Sequence, residues 1–190
     1  MNDLAIYLAA VQDLYPAGIP LALLKGGSSV AKCQVCSREC RDGISLAGGT
    51  PKTGSLCFVV AHPDRAAPSD GEVELLRAAV GKGLQRDIGS ATIFDIFSCS
   101  SDSCIQNVTP ENLSSLTQSR LSALHPGKIV ILGNTAAQIL QVSSGGAESK
   151  VVSWNDIPAI TTHSVLDVIK DQGCKKGFWG DLKALAAVSI

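Results

Sequence analysis

Short apolar runs of strand length alternate with helix-like segments through most of this chain. Residues 56–61 form a continuous apolar run, and residues 91–98 and 128–132 are the next two strand-like runs. Residues 70–80 have helical spacing, and the segment 109–124 begins with the Thr-Pro-Glu sequence that is typical of a helix start. Strands that alternate with helices predict an α/β fold, a three-layer α/β/α sandwich around a central, mainly parallel sheet.

The length and composition favour a single globular domain. The 190 residues are 45% hydrophobic and 17% charged, which argues against disorder. We therefore expect one domain over residues 1–190, with residues 1–32 as a helical extension at its N-terminus. The formal net charge of −1 argues against a protein that coats nucleic acid by bulk electrostatics, although a local basic face stays open.

The sequence gives no sign of membrane insertion or export. No apolar run reaches the roughly 18 to 20 residues that a membrane-spanning helix needs. The first residues, from Met1 to Leu4, lack the basic segment of a secretory signal. We expect no membrane partner and a cytoplasmic location.

Polar residues stand at or near the predicted ends of several strands. His62 follows the first run, Asp95 interrupts the second, and His163 follows a later strand-like segment. Because ligands of open α/β sheets bind beyond the carboxyl ends of the strands, these residues are candidates for a shared crevice. Each also has a structural alternative, a strand-end histidine or a hydrogen-bonded carboxylate. The turn at Gly133-Asn134 opens a helix, and free amides there could meet an anion.

Seven cysteines are many for a cytosolic chain. The odd number and the missing export signal make a disulfide framework a poor interpretation. Cys33 and Cys36 have the spacing of two thiolates that share one centre, and Cys40 lies close by in sequence. Cys99 and Cys104 could complete a set of four. An iron–sulfur cluster, a zinc ion and idle thiols all stay open on spacing alone.

Several motifs follow one another in an order that resembles a known family. They are Cys33-x-x-Cys36, Asp95 with Cys99, Thr109-Pro110-Glu111, the Leu-Gly-Asn-Thr-Ala-Ala segment 132–137, His163-Ser164 and the Trp-Gly-Asp-Leu-Lys segment 179–183. In this order and spacing they resemble the iron–sulfur branch of the uracil-DNA glycosylases. The resemblance extends over residues 33–185.

The resemblance implies a fold, a pocket and a cofactor. It implies that His163 stabilises the leaving base and that Asp64 is a candidate for orienting water. Base or DNA contacts would come from five residues: His62, Pro63, Asp95, Asn134 and Ser164. A [4Fe–4S] cluster would be held by Cys33, Cys36 and Cys99. The family's fourth ligand is displaced, and Cys104, or else Cys40, would replace it.

The departures from the family concern the pocket itself. Ala61 stands where the family has a glutamate, and Asp95 stands where it has the asparagine that reads uracil. An ionised carboxylate only accepts hydrogen bonds, whereas an amide both donates and accepts. The sequence therefore predicts a glycosylase-like protein that binds DNA or a nucleobase, with base excision lost or altered. DNA contacts are expected from the loop after His163 and from Lys175 and Lys176. The alternative is a non-catalytic scaffold or accessory subunit in DNA replication or repair, with a protein partner.

Overall fold

A computed structural model describes residues 30–32, 39–41, 43–62, 68–97, 110–142 and 151–188. The strands are β1 Val30–Lys32, β2 Glu39–Arg41, β3 Ile44–Ser45, β4 Leu56–Val60, β5 Ala91–Asp95, β6 Lys128–Leu132, β7 Val152–Trp154 and β8 Ile157–Thr162. The α-helices are α1 Asp70–Ala78, α2 Pro110–Ala123, α3 Asn134–Ile139, α4 Val165–Lys170 and α5 Gln172–Ala187. Strands β1 and β2 pair with each other in antiparallel orientation. The other six strands form one sheet.

The six-stranded sheet has the order β3-β5-β4-β6-β8-β7. Its four central strands, β5, β4, β6 and β8, are parallel to one another. The two edge strands, β3 and β7, pair with their neighbours in antiparallel orientation. The expectation of a mainly parallel sheet therefore holds for the centre of the sheet, whereas the sheet as a whole is mixed.

Helices cover both faces of the sheet because successive residues of each buried strand point to opposite sides. In β4, Phe58 belongs to a core cluster that includes Leu76 of α1 and Leu182 of α5. The neighbouring Val59 belongs to a second cluster that includes Leu121 of α2. Two apolar cores on either side of one sheet are compatible with the expected α/β/α sandwich.

Cys57 of β4 is a core residue. It is fully buried, and burial raises the pKa of its thiol to about 12. The thiol therefore stays protonated and behaves as a small apolar side chain, as the sequence predicted.

Two element boundaries differ from the sequence prediction for identifiable reasons. Strand β5 ends at Asp95 rather than continuing to residue 98, because the Asp95 carboxylate accepts a hydrogen bond from the Phe97 backbone N–H at 3.0 Å and turns the chain. Helix α5 begins at Gln172, six residues before its predicted start at residue 178. The side chain of Asp171 accepts a hydrogen bond from the Gly173 N–H at 2.7 Å and caps the helix there.

Within the part of the chain that the structure describes, none of the helices has the length and apolar character needed to cross a membrane. Of the expected helical extension over residues 1–32, residues 30–32 form β1. The rest of the extension lies outside the described residues.

Candidate functional site

The parallel strands bring two of the predicted site residues into direct contact. Because β4 and β5 are neighbours, the second residue after β4 can meet the last residue of β5. The His62 Nδ1 lies 2.6 Å from Asp95 Oδ2, and the other ring nitrogen, Nε2, lies 3.0 Å from Glu72 Oε1. All three side chains are buried, with exposed residue fractions of 8%, 6% and 1% for His62, Asp95 and Glu72. We call these three residues the acid–histidine cluster.

Glu72 enters the cluster from the first turn of α1. Its Oε2 accepts hydrogen bonds from the Ser69 backbone N–H at 2.7 Å and from the Ser69 hydroxyl at 2.8 Å. The same carboxylate thus caps the helix and contacts His62 with its other oxygen. Our sequence prediction missed Glu72. The available signal was the Ser69-x-x-Glu72 spacing, which is the pattern of a capping box.

The geometry requires a proton on both nitrogens of His62. Each ring nitrogen faces a carboxylate oxygen, and an ionised carboxylate only accepts hydrogen bonds, so both N–H groups must donate. Burial opposes a charged ring, but the hydrogen bond and charge of Asp95, joined by those of Glu72, outweigh it and raise the pKa of His62. The cluster therefore consists of an imidazolium held between two carboxylates.

Glu72 is held in its ionised form by the same contacts. Burial opposes its charge, yet the hydrogen bonds from Ser69 and the charge of His62 lower its pKa below the ordinary value. Because the carboxylate is both capped and paired, the cluster has one positive and two negative charges with their hydrogen bonds satisfied.

The acid–histidine cluster is unsuited to binding a metal ion. Asp95 and Glu72 lie at opposite nitrogens of the ring, so the three side chains do not converge on one point. Among the described residues, no group of three or more His, Cys, Asp or Glu side chains could hold a metal ion. The cluster links the chain just after β4 to the end of β5 and the start of α1.

His163 stands apart from the acid–histidine cluster. It is exposed and follows β8, and β6 lies between β8 and β4 in the sheet. Its ring packs on α5, where a Cβ added to Gly177 would lie 3.0 Å from His163 Nε2. The next residue, Ser164, caps α4 by accepting a hydrogen bond from the Asp167 N–H at 3.2 Å and donating one to Asp167 Oδ2 at 2.6 Å.

Asn134 is exposed at the start of α3, next to the end of β8. The preceding Gly133 has φ of +88°, which favours glycine, and its N–H donates to the Thr162 carbonyl at 2.9 Å. A Cβ on Gly133 would come within 3.1 Å of the Ser164 Cβ. The structure thus brings the start of α3 beside Ser164, at the same edge of the sheet as His163.

The remaining predicted site residues lie outside the described residues. They are Pro63, Asp64, Cys33, Cys36, Cys99 and Cys104. The predicted water-orienting acid and the predicted cluster ligands therefore stay predictions. In comparisons with known proteins, no family model and no curated protein matches this chain.

Proposed function

We propose that this chain is a uracil-DNA glycosylase-like protein that binds DNA or a nucleobase and does not excise uracil. The observation that carries the proposal is the engagement of Asp95 within the acid–histidine cluster. One carboxylate oxygen is bound to His62 at 2.6 Å, and the other accepts the Phe97 N–H at 3.0 Å. Asp95 stands where the resemblance places the amide that reads the base. Both of its carboxylate oxygens already form hydrogen bonds within the protein.

The position of Ala61 supports the same conclusion. Ala61 packs against the apolar cluster on the α2 and α3 side of the sheet, together with Phe97. His62 contacts Glu72 of α1, a helix that packs on the opposite face. The position that corresponds to the family's glutamate therefore carries an apolar side chain, and the carboxylates of the acid–histidine cluster face away from it.

DNA contact is proposed for a surface formed by His163 and the first turns of α5. The ring of His163 lies against Gly177, which directly follows Lys175 and Lys176. Lys176 is exposed and Lys175 is half-buried, and the two lysines bring positive charge to this surface. Nearby Asp167 and Asp171 offset part of that charge, so we expect weak binding by a few phosphate contacts.

A base-release assay tests the catalytic half of the proposal. Purified protein is incubated with single- and double-stranded oligonucleotides that contain uracil, hypoxanthine, xanthine or an alkylated base. We expect no release of uracil, and robust uracil turnover by the wild-type protein would overturn the proposal. Release of one of the other bases would show altered rather than lost excision.

A double variant adds a positive test of the residue alignment. Ala61→Glu with Asp95→Asn restores the family's two pocket residues, and we expect it to release uracil faster than the wild type. The matched control is Ala61→Gln with Asp95→Asn, which has the same size and polarity without the carboxylate. Equal rates for the two double variants would contradict the assigned role of position 61.

A salt titration tests the binding half. Affinity for a short duplex, measured by fluorescence anisotropy, should fall as salt rises, and Lys175→Gln with Lys176→Gln should reduce the magnitude of the log–log slope by about two. The charge-matched control is Lys52→Gln with Lys183→Gln, which should leave the slope unchanged. Duplex affinity that is unmeasurable at low salt would rule out DNA binding.

A protein-binding scaffold is the second candidate, and one observation favours it. Leu166 and Ile169 are 41% and 43% exposed and stand three residues apart, on one face of α4. Exposed apolar pairs of this kind suit a protein partner better than a phosphate backbone. Leu166→Ser with Ile169→Ser should weaken a protein complex and leave duplex affinity intact if the scaffold function holds, and the lysine variants should do the reverse if DNA is the partner.

A further inference from the structure

A polar pocket lies at the end of the parallel strands opposite to the acid–histidine cluster, where β4 and β6 begin. It has a volume of about 340 Å³ and is lined by Gly54, Leu56, Arg86, Lys128 and residues 186–188 at the end of α5. This size is at the lower end of the range for small-molecule sites. Of the described residues that line it, two are cationic and none is acidic.

Lys128 supplies a fixed positive charge to this pocket. The residue is buried, and its ammonium donates hydrogen bonds to the carbonyl oxygens of Leu185 at 3.0 Å, Ala186 at 3.1 Å and Val188 at 2.6 Å. An ammonium has three N–H donors, so all of them are used on the last turn of α5. Lys128 can therefore attract an anion without being able to bind it directly.

Arg86 supplies the donors that a ligand can reach, because the residue is exposed and lines the pocket. Helix α1 continues into a π-helical turn over Ala79–Gly83, and Gln85 then adopts a left-handed conformation with φ of +51°. The backbone N–H of Arg86 donates a hydrogen bond to the Val80 carbonyl at 3.0 Å, which fixes the main chain beside the pocket. The neighbouring acid, Asp87, forms its ion pair with Lys52 at 3.7 Å.

The two cations line the same pocket, and backbone hydrogen bonds hold its rim. Burial and, after it, the positive charge of Arg86 lower the pKa of Lys128 from its ordinary value. The rim is fixed by hydrogen bonds from Gly54 N–H to the His125 carbonyl at 2.8 Å and from Gly127 N–H to the Ser55 carbonyl at 2.9 Å. A bound anion would relieve the repulsion between the cations.

We propose that this pocket binds a small oxyanion, a phosphate or carboxylate group. The guanidinium of Arg86 would bind it directly, and the positive charge of Lys128 would attract it. A guanidinium presents paired N–H groups that match two oxygens of a carboxylate or phosphate. The apolar side of the pocket, formed by Leu56 and Val188, accommodates a short apolar body attached to that group. The site is independent of the proposed nucleic-acid surface and lies at the other end of the strands.

The test is a titration of the whole chain with inorganic phosphate and, separately, with acetate, followed by ¹⁵N NMR and calorimetry. Sodium chloride at equal ionic strength is the reference. We expect shifts at Gly54, at the Arg86 side-chain N–H and at Val188 within about 10 mM anion, where a millimolar site is nearly saturated. Binding of both anions supports a general oxyanion site, and binding of one alone supports the site and assigns its ligand class.

Variants at the exposed Arg86 localise the binding without disturbing the core. Arg86→Gln should weaken anion binding by about tenfold or more. The affinity of Arg86→Lys should lie between those of Arg86→Gln and the wild type, because lysine keeps the charge and loses the paired donors. Lys183→Gln is the charge-matched control and should bind as the wild type does. The proposal is overturned if neither anion binds more tightly than chloride, if Arg86→Gln binds unchanged, or if the shifts map to other surfaces.

Discussion

Removal of the His62 side chain should destabilise the protein more than the removal of any exposed histidine. His62→Ala leaves Asp95 and Glu72 buried with no cation between them. Breaking a buried ion pair by removing one partner typically costs about 3 to 5 kcal/mol. Here both carboxylates keep other donors, Phe97 N–H for Asp95 and Ser69 for Glu72, so we expect the lower end, about 3 kcal/mol.

Urea denaturation at pH 6 measures this cost directly. The free energy of unfolding should fall by about 3 kcal/mol at an unchanged m-value, and the melting temperature should fall by about 6 to 12 °C for a chain of this size. His163→Ala is the control, because its side chain is exposed, and it should stay within about 0.5 kcal/mol of the wild type. A loss below about 1 kcal/mol for His62→Ala would refute the reasoning, because the acid–histidine cluster would then contribute no more than an ordinary hydrogen bond.

The cost should also depend on pH, with a sign that the pKa shifts determine. The pKa of His62 is raised from 6.5, so its contribution is complete below 6.5 and is lost as pH rises through the raised value. The pKa of Glu72 is lowered from 4.5, so its contribution is complete above 4.5 and is lost as pH falls through the lowered value. The stability difference between wild type and His62→Ala should therefore be largest between pH 4.5 and 6.5. A difference that does not change from pH 4 to pH 9 would contradict the charged arrangement.

Four further predictions concern other parts of the molecule. Lys128→Met should destabilise the protein by about 2 kcal/mol or more, because three carbonyl oxygens lose a charged donor, and amide exchange should accelerate in the last turn of α5. Gly83→Ala should cost about 1 to 3 kcal/mol in urea denaturation, because the added Cβ would lie 2.0 Å from the Trp179 ring. In Gly180→Ala the added Cβ would meet no atom of the described residues within 4 Å, so this change in α5 should instead stabilise the protein by about 0.5 to 1 kcal/mol. Protein purified without air should contain iron and acid-labile sulfide, and a colourless preparation with neither iron nor zinc would remove the cysteine-bound metal.

The central architecture could be predicted from local patterns. The bounds of β6, Lys128–Leu132, agree with the prediction, and the helix after Gly133 begins where the turn indicated. Continuous apolar runs of five residues identify strands that are buried on both faces, and such strands belong to parallel sheets between helices. The antiparallel pairing of the edge strands β3 and β7 did not follow, because short strands with few buried residues have little pattern.

The candidate site was only partly predictable. The ends of parallel strands meet at one edge of a sheet, and this rule indicated that His62 and Asp95 would lie near each other. The rule did not distinguish side chains that line an open ligand crevice from side chains that form hydrogen bonds with other residues of the protein. In the structure His62 lies between Asp95 and Glu72, which reaches it from the first turn of α1.

The sequence by itself determined the buried strands β4 and β6 and the helices α1, α2 and α3, since hydrophobic period and capping residues act over neighbouring positions. It also determined that a charge at Asp95 or Lys128 would need partners if buried, because an unpaired buried charge is costly. Only the tertiary structure decided what those partners are. The acceptors of Lys128 lie 57 to 60 residues away along the chain, and His62 lies 33 residues from Asp95. Pairings over such separations depend on how the strands are ordered and on which face each helix packs, and no local pattern records that order.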